Sequence, residues 1–227
     1  PVFSYLTVSG NTASWGGGIY SKDSSNAIIT DVTITDNTAE SGGGIYCRSS
    51  SPTLTDVIII GNTASWDGGG MCCLYSSPVL TNVTIMDNST DNYGGGIDID
   101  NSSPVLTFVI ISGNMASWGG GVLCWSSSPI LTNVTITDNS APEGGGIYLS
   151  DSNPTLGNCI LWNDASHEIF IESGTFNPVY SNIQGGWEGE GNIDADPLFC
   201  NPDSGDFFLA EDSPCVGAGL NSENMGA

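Results

Sequence analysis

Six glycine triplets recur along this chain at an almost fixed interval, and a period of that size restricts the fold to a stack of repeated units. The triplets begin at Gly16, Gly42, Gly68, Gly94, Gly119 and Gly144, with spacings of 26, 26, 26, 25 and 25 residues. Five residues before each, give or take one, stands an asparagine: Asn11, Asn37, Asn62, Asn88, Asn114 and Asn139. Prolines keep the same rhythm at Pro52, Pro78, Pro104, Pro129 and Pro154. Within a unit the apolar residues alternate with Thr and Ser, as in strands with one buried face. Leu80, Val83 and Ile85 point inward, and Ile97 and Ile99 follow after the turn. Proline, Asx and glycine divide each unit into three short runs, which predicts three strands per unit joined by corners. One such unit buries too few aliphatic side chains to offset the ordering of its backbone, so it must stack on copies of itself.

The predicted fold class is therefore all-β: a parallel β-helix, or β-solenoid, of 25–26 residues and three short strands per coil. Equivalent residues lie about 4.8 Å apart along its axis. Leu54, Leu80, Leu106, Leu131 and Leu156 form one internal column. Val32, Val57, Val83, Val109 and Val134 form a second, and Ile19, Ile45, Met71, Ile97, Val122 and Ile147 a third. Cys47, Cys73 and Cys124 fall on an inward column as packing residues. Asn11, Asn37, Asn62, Asn88, Asn114 and Asn139 are expected to form a corner ladder of side-chain amides that tolerates left-handed backbone. The glycines allow tight corners or positive φ. A finer, two-coil period overlies the first: Gly-Asn-x-Ala-Ser-Trp at Gly10, Gly61 and Gly113 alternates with Asp-Asn at Asp36, Asp87 and Asp138. It predicts a row of Trp15, Trp66 and Trp118 at about 10 Å intervals.

Residues 1–164 read as the regular coils and 165–227 as irregular C-terminal coils and a cap of the same solenoid. Pro178 to Ile183 reads as a coil, with Ile193 to Phe199 and Phe207 to Leu209 as two more. The units are similar to the Gly-Gly-Gly-Ile and x-x-x-Asn repeats of polymorphic outer-membrane-protein-like domains, which are right-handed parallel β-helices. Ile160-Leu161-Trp162-Asn163, Tyr180 to Gly186, Asn192 to Phe199 and Gly205 to Cys215 resemble the C-terminal coils of large bacterial surface proteins. The resemblance implies an extracellular or cell-surface location and pairs Cys200 with Cys215 in a disulfide, which fits an oxidising compartment. With no initial Met or signal peptide and an opening partway through a coil, the sequence reads as mature, cut or part of something longer.

Charge narrows the partners. The chain carries 25 Asp and Glu against two basic residues, Lys22 and Arg48, for a formal net charge of −23. Nucleic acid is excluded, since phosphate binding needs clustered Lys and Arg. The longest aliphatic run, Val57 to Ile60, is far short of the ~20 residues that cross a bilayer, so no direct membrane insertion is expected. Uronate cleavage needs a base and cations near the substrate, and Lys22 and Arg48 are the whole supply. Asp residues are plentiful enough for glycoside hydrolysis but recur with the repeat, whereas an active site should break it. His167 has no Ser or Cys partner. The chain is therefore expected not to be an enzyme and to require no cofactor. Asp98 with Asp100, and Asp194 with Asp196, each place two carboxylates on one strand face, a hard-oxygen pattern suited to Ca²⁺ or simply to solvated surface. Asn82, Asn101 and Asn133 stand in glycosylation sequons. The leading reading is a structural or adhesive surface rod that stacks head-to-tail with itself into a filament. The alternative is a carbohydrate-binding module that stacks surface glycans on Trp15, Trp66 and Trp118. A polysaccharide-degrading enzyme comes third.

Overall fold

The computed structural model describes residues 1–165 and 167–227. In the coils each strand pairs in parallel with its equivalent one repeat on, as the alternation requires. Leu80 sits between Leu54 and Leu106, and Val83 between Val57 and Val109. Three sheets result. The first is built from Val2–Ser9, Ile28–Thr35, Thr53–Ile60, Val79–Met86, Val105–Ser112 and Ile130–Thr137, and is continued by Thr155–Gly157, Ile160–Trp162 and Asn182–Ile183. The second contains Thr12–Trp15, Thr38–Ser41, Thr63–Asp67 and Ser89–Thr90. The third runs through Ile19–Lys22, Ile45–Arg48, Met71–Leu74, Ile97–Asp100, Val122–Trp125, Ile147–Ser150 and Ile169–Ile171. The Leu, Val and Ile columns fill the bore, with the full coils' members almost completely buried and Ile19 of the first coil packed at the margin. Cys47, Cys73 and Cys124 pack among them. No helix of the described residues is long and apolar enough to cross a membrane.

Leu80 and Val83 are three apart, so a plain strand would put them on opposite faces. Asn82 resolves this as a bulge at φ 54°, left out of the pairing, with Asp31, Asp56 and Asn133 in the same conformation at the same place. Asx residues accept left-handed backbone better than most, which suits them to four of the six places in this column; Tyr5 and Phe108 hold the other two in the same conformation.

The asparagine column is a buried ladder. Asn88 Nδ2 donates to Asn114 Oδ1 at 3.0 Å and to the Ile59 carbonyl at 3.0 Å, while its own Oδ1 accepts from Asn62 N and Nδ2. The left-handed residue is the one before each ladder position: Gly10, Asp36, Gly61, Asp87, Gly113 and Asp138 all have positive φ, and the ladder asparagines do not. This corrects the expectation of left-handed asparagines and explains the alternation of Gly-Asn with Asp-Asn, since both Gly and Asp tolerate that conformation. Asp164 ends the ladder, its Oδ1 accepting from Asn139 N and Nδ2.

The tail departs from the expected series of coils. Asn182–Ile183 and an isolated bridge at Ile193 still stack in parallel. Phe199–Asn201 and Asp206–Leu209 instead form an antiparallel hairpin. The last residues then run back along the outside of the first sheet, where Asn133 Nδ2 donates to Asn224 O and the Ala227 amide donates to Thr135 Oγ1. Trp187 closes the far end of the bore, standing edge-on to Phe176 at 5.0 Å and donating its indole N–H to the Phe176 carbonyl.

Two further expectations are corrected here. Cys200 and Cys215 are separate thiols: Cys200 is exposed on the hairpin, while Cys215 is buried, with Asn182 Nδ2 directed at its sulfur at 3.1 Å. The pairing that the resemblance implied is thus not formed. Asn133 is buried under the returning tail and is no acceptor for sugar, whereas Asn82 and Asn101 are exposed.

Candidate functional site

The glycine triplets bring the second and third sheets into close adjacency, and the outer faces of these two sheets form the site. The first glycine of each triplet has positive φ, between 60° and 65°. The second and third are needed because neighbouring coils touch there: a Cβ on Gly69 would lie 2.5 Å from Ser89 O and 2.6 Å from Gly95 O. The sharp corner sets two outward columns side by side. One, at the end of the second sheet, reads Trp15, Ser41, Asp67, Tyr93, Trp118 and Glu143. The other, on the third sheet, reads Tyr20, Tyr46, Cys72, Asp98, Leu123, Tyr148 and Phe170.

The first column corrects the expected row of tryptophans. Trp15 and Trp118 share it, but Asp67 holds the place predicted for Trp66. Asn62 and Gly68 are six residues apart where Asn11 and Gly16 are five apart. The extra residue shifts the register between Ala39 and Ser41 and displaces Trp66, which stands 60% exposed. The next coil also has the longer spacing, from Asn88 to Gly94, and it presents Tyr93.

Aromatic rings crowd the two columns. Trp15 and Tyr20 are 6.4 Å apart, Tyr20 and Tyr46 are edge-to-face at 5.4 Å, Tyr93 and Trp118 are tilted at 5.2 Å, and Tyr148 stacks on Phe170 at 5.2 Å. Tyr46 and Tyr148 point away from the bore yet are buried by these neighbours. Burial pushes both hydroxyls up to about 12. Tyr20, Trp15, Tyr93 and Trp125 keep exposed faces. Lys22 and Arg48, the chain's two cations, pair in register beside Tyr20 and Tyr46.

Two coils further on the chemistry reverses. A cavity of about 280 Å³ is lined by Asp67, Tyr93, Asp98, Asp100, Leu123 and Trp125. Asp98 is 6% exposed, and the one hydrogen bond of its carboxyl among the described residues is from the Cys72 thiol to Oδ2 at 3.4 Å. Burial, then the Asp67 charge, hold its carboxyl well above the usual range. Burial also raises Asp67, against a hydrogen bond from Ser41. A raised acid contributes stability below the ordinary carboxylate pKa that is lost as pH rises through the folded value. Asp98→Asn is thus expected to leave the melting temperature at pH 3.5 near wild type. At pH 7 it is expected to raise stability by ~1–3 kcal/mol, the range for a buried polar group short of partners. Thermal melts of both proteins across that range check it.

Sequence reasoning found Asp98 and Asp100 and missed Asp67, Tyr93 and Trp125. The lengthened Asn-to-Gly spacing in two adjacent coils was the available signal. The other predicted acid pair lies outside this cavity: Asp194 Oδ1 accepts from the Gly185 amide across a loop, and Asp196 Oδ1 accepts from the Leu198 amide two residues on, as an Asx turn. Among the described residues, no three His, Cys, Asp or Glu side chains are grouped to hold a metal ion.

The fold class follows from the three parallel sheets, and comparison with known proteins places it. A family model described as the right-handed beta helix region matches residues 2–110 and 81–185. The chain belongs to this right-handed β-helix family. No curated protein matches it at a significant level.

Proposed function

We propose that the chain is a non-catalytic, extracellular or cell-surface adhesive solenoid that binds glycans along the groove between its second and third sheets. The observation that carries this reading is the set of partly exposed rings on the two adjoining sheets, Trp15, Tyr93 and Trp118 in one column with Tyr20 and Trp125 on the third sheet beside it. Exposed aromatic faces in a row suit the apolar faces of sugar rings. Trp15 and Trp118 lie four coils apart, about 19 Å at 4.8 Å per coil, which spans several sugars. A net charge of −23 favours neutral or cationic glycans over uronates. End-to-end assembly is the weaker reading, because Trp187 and Phe176 cover the end that a second copy would have to meet.

Titration calorimetry with neutral oligosaccharides tests the groove. Trp118→Ala is expected to weaken binding about five- to tenfold, the effect of one stacked ring at ~1–1.5 kcal/mol. Trp66→Ala is expected to change it less than about twofold, because Trp66 stands outside the column. Equal effects from both would restore the evenly spaced row and refute the groove as drawn.

A further inference from the structure

Along the third sheet's outer column the residues are Tyr20, Tyr46, Cys72, Leu123, Tyr148 and Phe170, except where Asp98 interrupts them. A carboxylate there breaks the repeat, and it does so at a place that is costly. Asp98 is more than nine-tenths buried, lines the cavity, and has no cation or amide donor among the described residues. Its carboxyl has only the weak Cys72 thiol as a donor, a poor match for a buried acid. Asp67 and Asp100 line the same cavity and add to its negative potential. The nearest basic residue in Asp100's register, Arg48, is two coils away.

The donor that would suit this carboxyl better than a thiol is one that carries positive charge. Tyr93 and Trp125 add aromatic faces to the cavity wall, and such faces attract organic ammonium groups while stacking on the ring that bears them. We infer that this cavity is a subsite for an amino sugar, whose ammonium group pairs with Asp98 in the negative potential to which Asp67 and Asp100 add, while its ring lies against Tyr93 and Trp125. The inference rests on the glycan-binding reading and gives that groove its specificity. A lysine side chain offers the same ammonium group, but it lacks the rigid ring that the neighbouring aromatic column is placed to continue.

The test compares a glucosamine tetramer with its fully N-acetylated counterpart, by calorimetry at neutral pH and moderate salt, on the wild type and on Asp98→Asn and Trp118→Ala. The wild type is expected to bind the amino form at least about tenfold more tightly, the effect of one charge-assisted hydrogen bond. Asp98→Asn should reduce that preference to less than about threefold. Trp118→Ala should weaken both. The variant removes one of 25 acidic residues, so general attraction of a cation to an acidic chain would survive it. Tight and equal binding of both tetramers by the wild type would overturn the subsite and leave the glycan groove standing. A preference unchanged in Asp98→Asn would also overturn it. Binding of neither tetramer would overturn the subsite, and failure with neutral oligosaccharides as well would take the groove with it.

Discussion

Replacing Gly95 by alanine is expected to destabilise the solenoid by about 4 kcal/mol or more, lowering the melting temperature by roughly 8–16 °C for a chain of this size. Its cause is contact between coils. A Cβ at Gly95 would stand 2.4 Å from Gly120 O and 2.6 Å from Met115 O, both backbone atoms that no rotamer change can move. The clash pushes adjacent coils apart, and the amide-to-carbonyl bonds on either side, such as Gly95 N to Gly119 O at 3.0 Å, must lengthen with it. Gly157→Ala is the matched control: nothing lies within 4 Å of its added Cβ, and its φ is not in the left-handed region. It is expected to be neutral or to stabilise by a few tenths of a kcal/mol, through a less flexible unfolded chain. Thermal melts followed by circular dichroism check both. Equal losses at Gly95 and Gly157 would mean that coil contact is not what the triplets serve.

Asn88→Ala is expected to cost about 3 kcal/mol. The substitution strips Asn62 of the acceptor for its backbone N–H and one side-chain N–H, and leaves the Ile59 carbonyl without the Asn88 donor. Those groups are in the buried ladder, where each unsatisfied polar atom costs roughly 1–3 kcal/mol. The loss should depend on position in a way that a mere packing defect would not. Asn11 is exposed at the first coil and only donates, to Asn37 Oδ1, so Asn11→Ala is expected to cost less than about 1 kcal/mol. Chemical denaturation of the two variants gives the comparison. Similar losses at both positions would contradict a cooperative ladder.

Most of the fold was legible because a solenoid writes its geometry into a period. Leu80, Val83 and Asn88 recur at intervals that allow only stacking, and the internal columns followed from counting. What escaped were single residues that alter the count. The bulge at Asn82 is invisible to an alternation rule, since it is a conformational response to the odd spacing of Leu80 and Val83. Asp67 looked like one acid among many until its pairing with Ser41 and Tyr93 put it where Trp66 had been expected. At the end of the ladder, Asn163-Asp164 inverts the usual Asp-Asn order. Asn163 takes the left-handed place and Asp164 the buried one, a swap readable only once the role of each position is known. The hairpin that separates Cys200 from Cys215 lies beyond the last triplet, where no repeat was left to count.

The candidate site follows the same division. Its aromatic residues were visible as a two-coil rhythm, but which of them share a column was not. Asp98 and Asp100 stood out as a pair, yet only burial separates Asp98 from the solvated acids elsewhere on the chain.

The most direct measurement is retention of the wild-type chain on immobilised glycans that span neutral, amino-sugar and uronate polymers, with the double variant Tyr93→Ala/Trp118→Ala beside it. Glycan binding along the aromatic groove requires retention on neutral or amino-sugar surfaces, weaker or absent retention on uronates, and loss of retention in the folded double variant. Failure to bind any glycan, or binding that survives the loss of both rings, would contradict it.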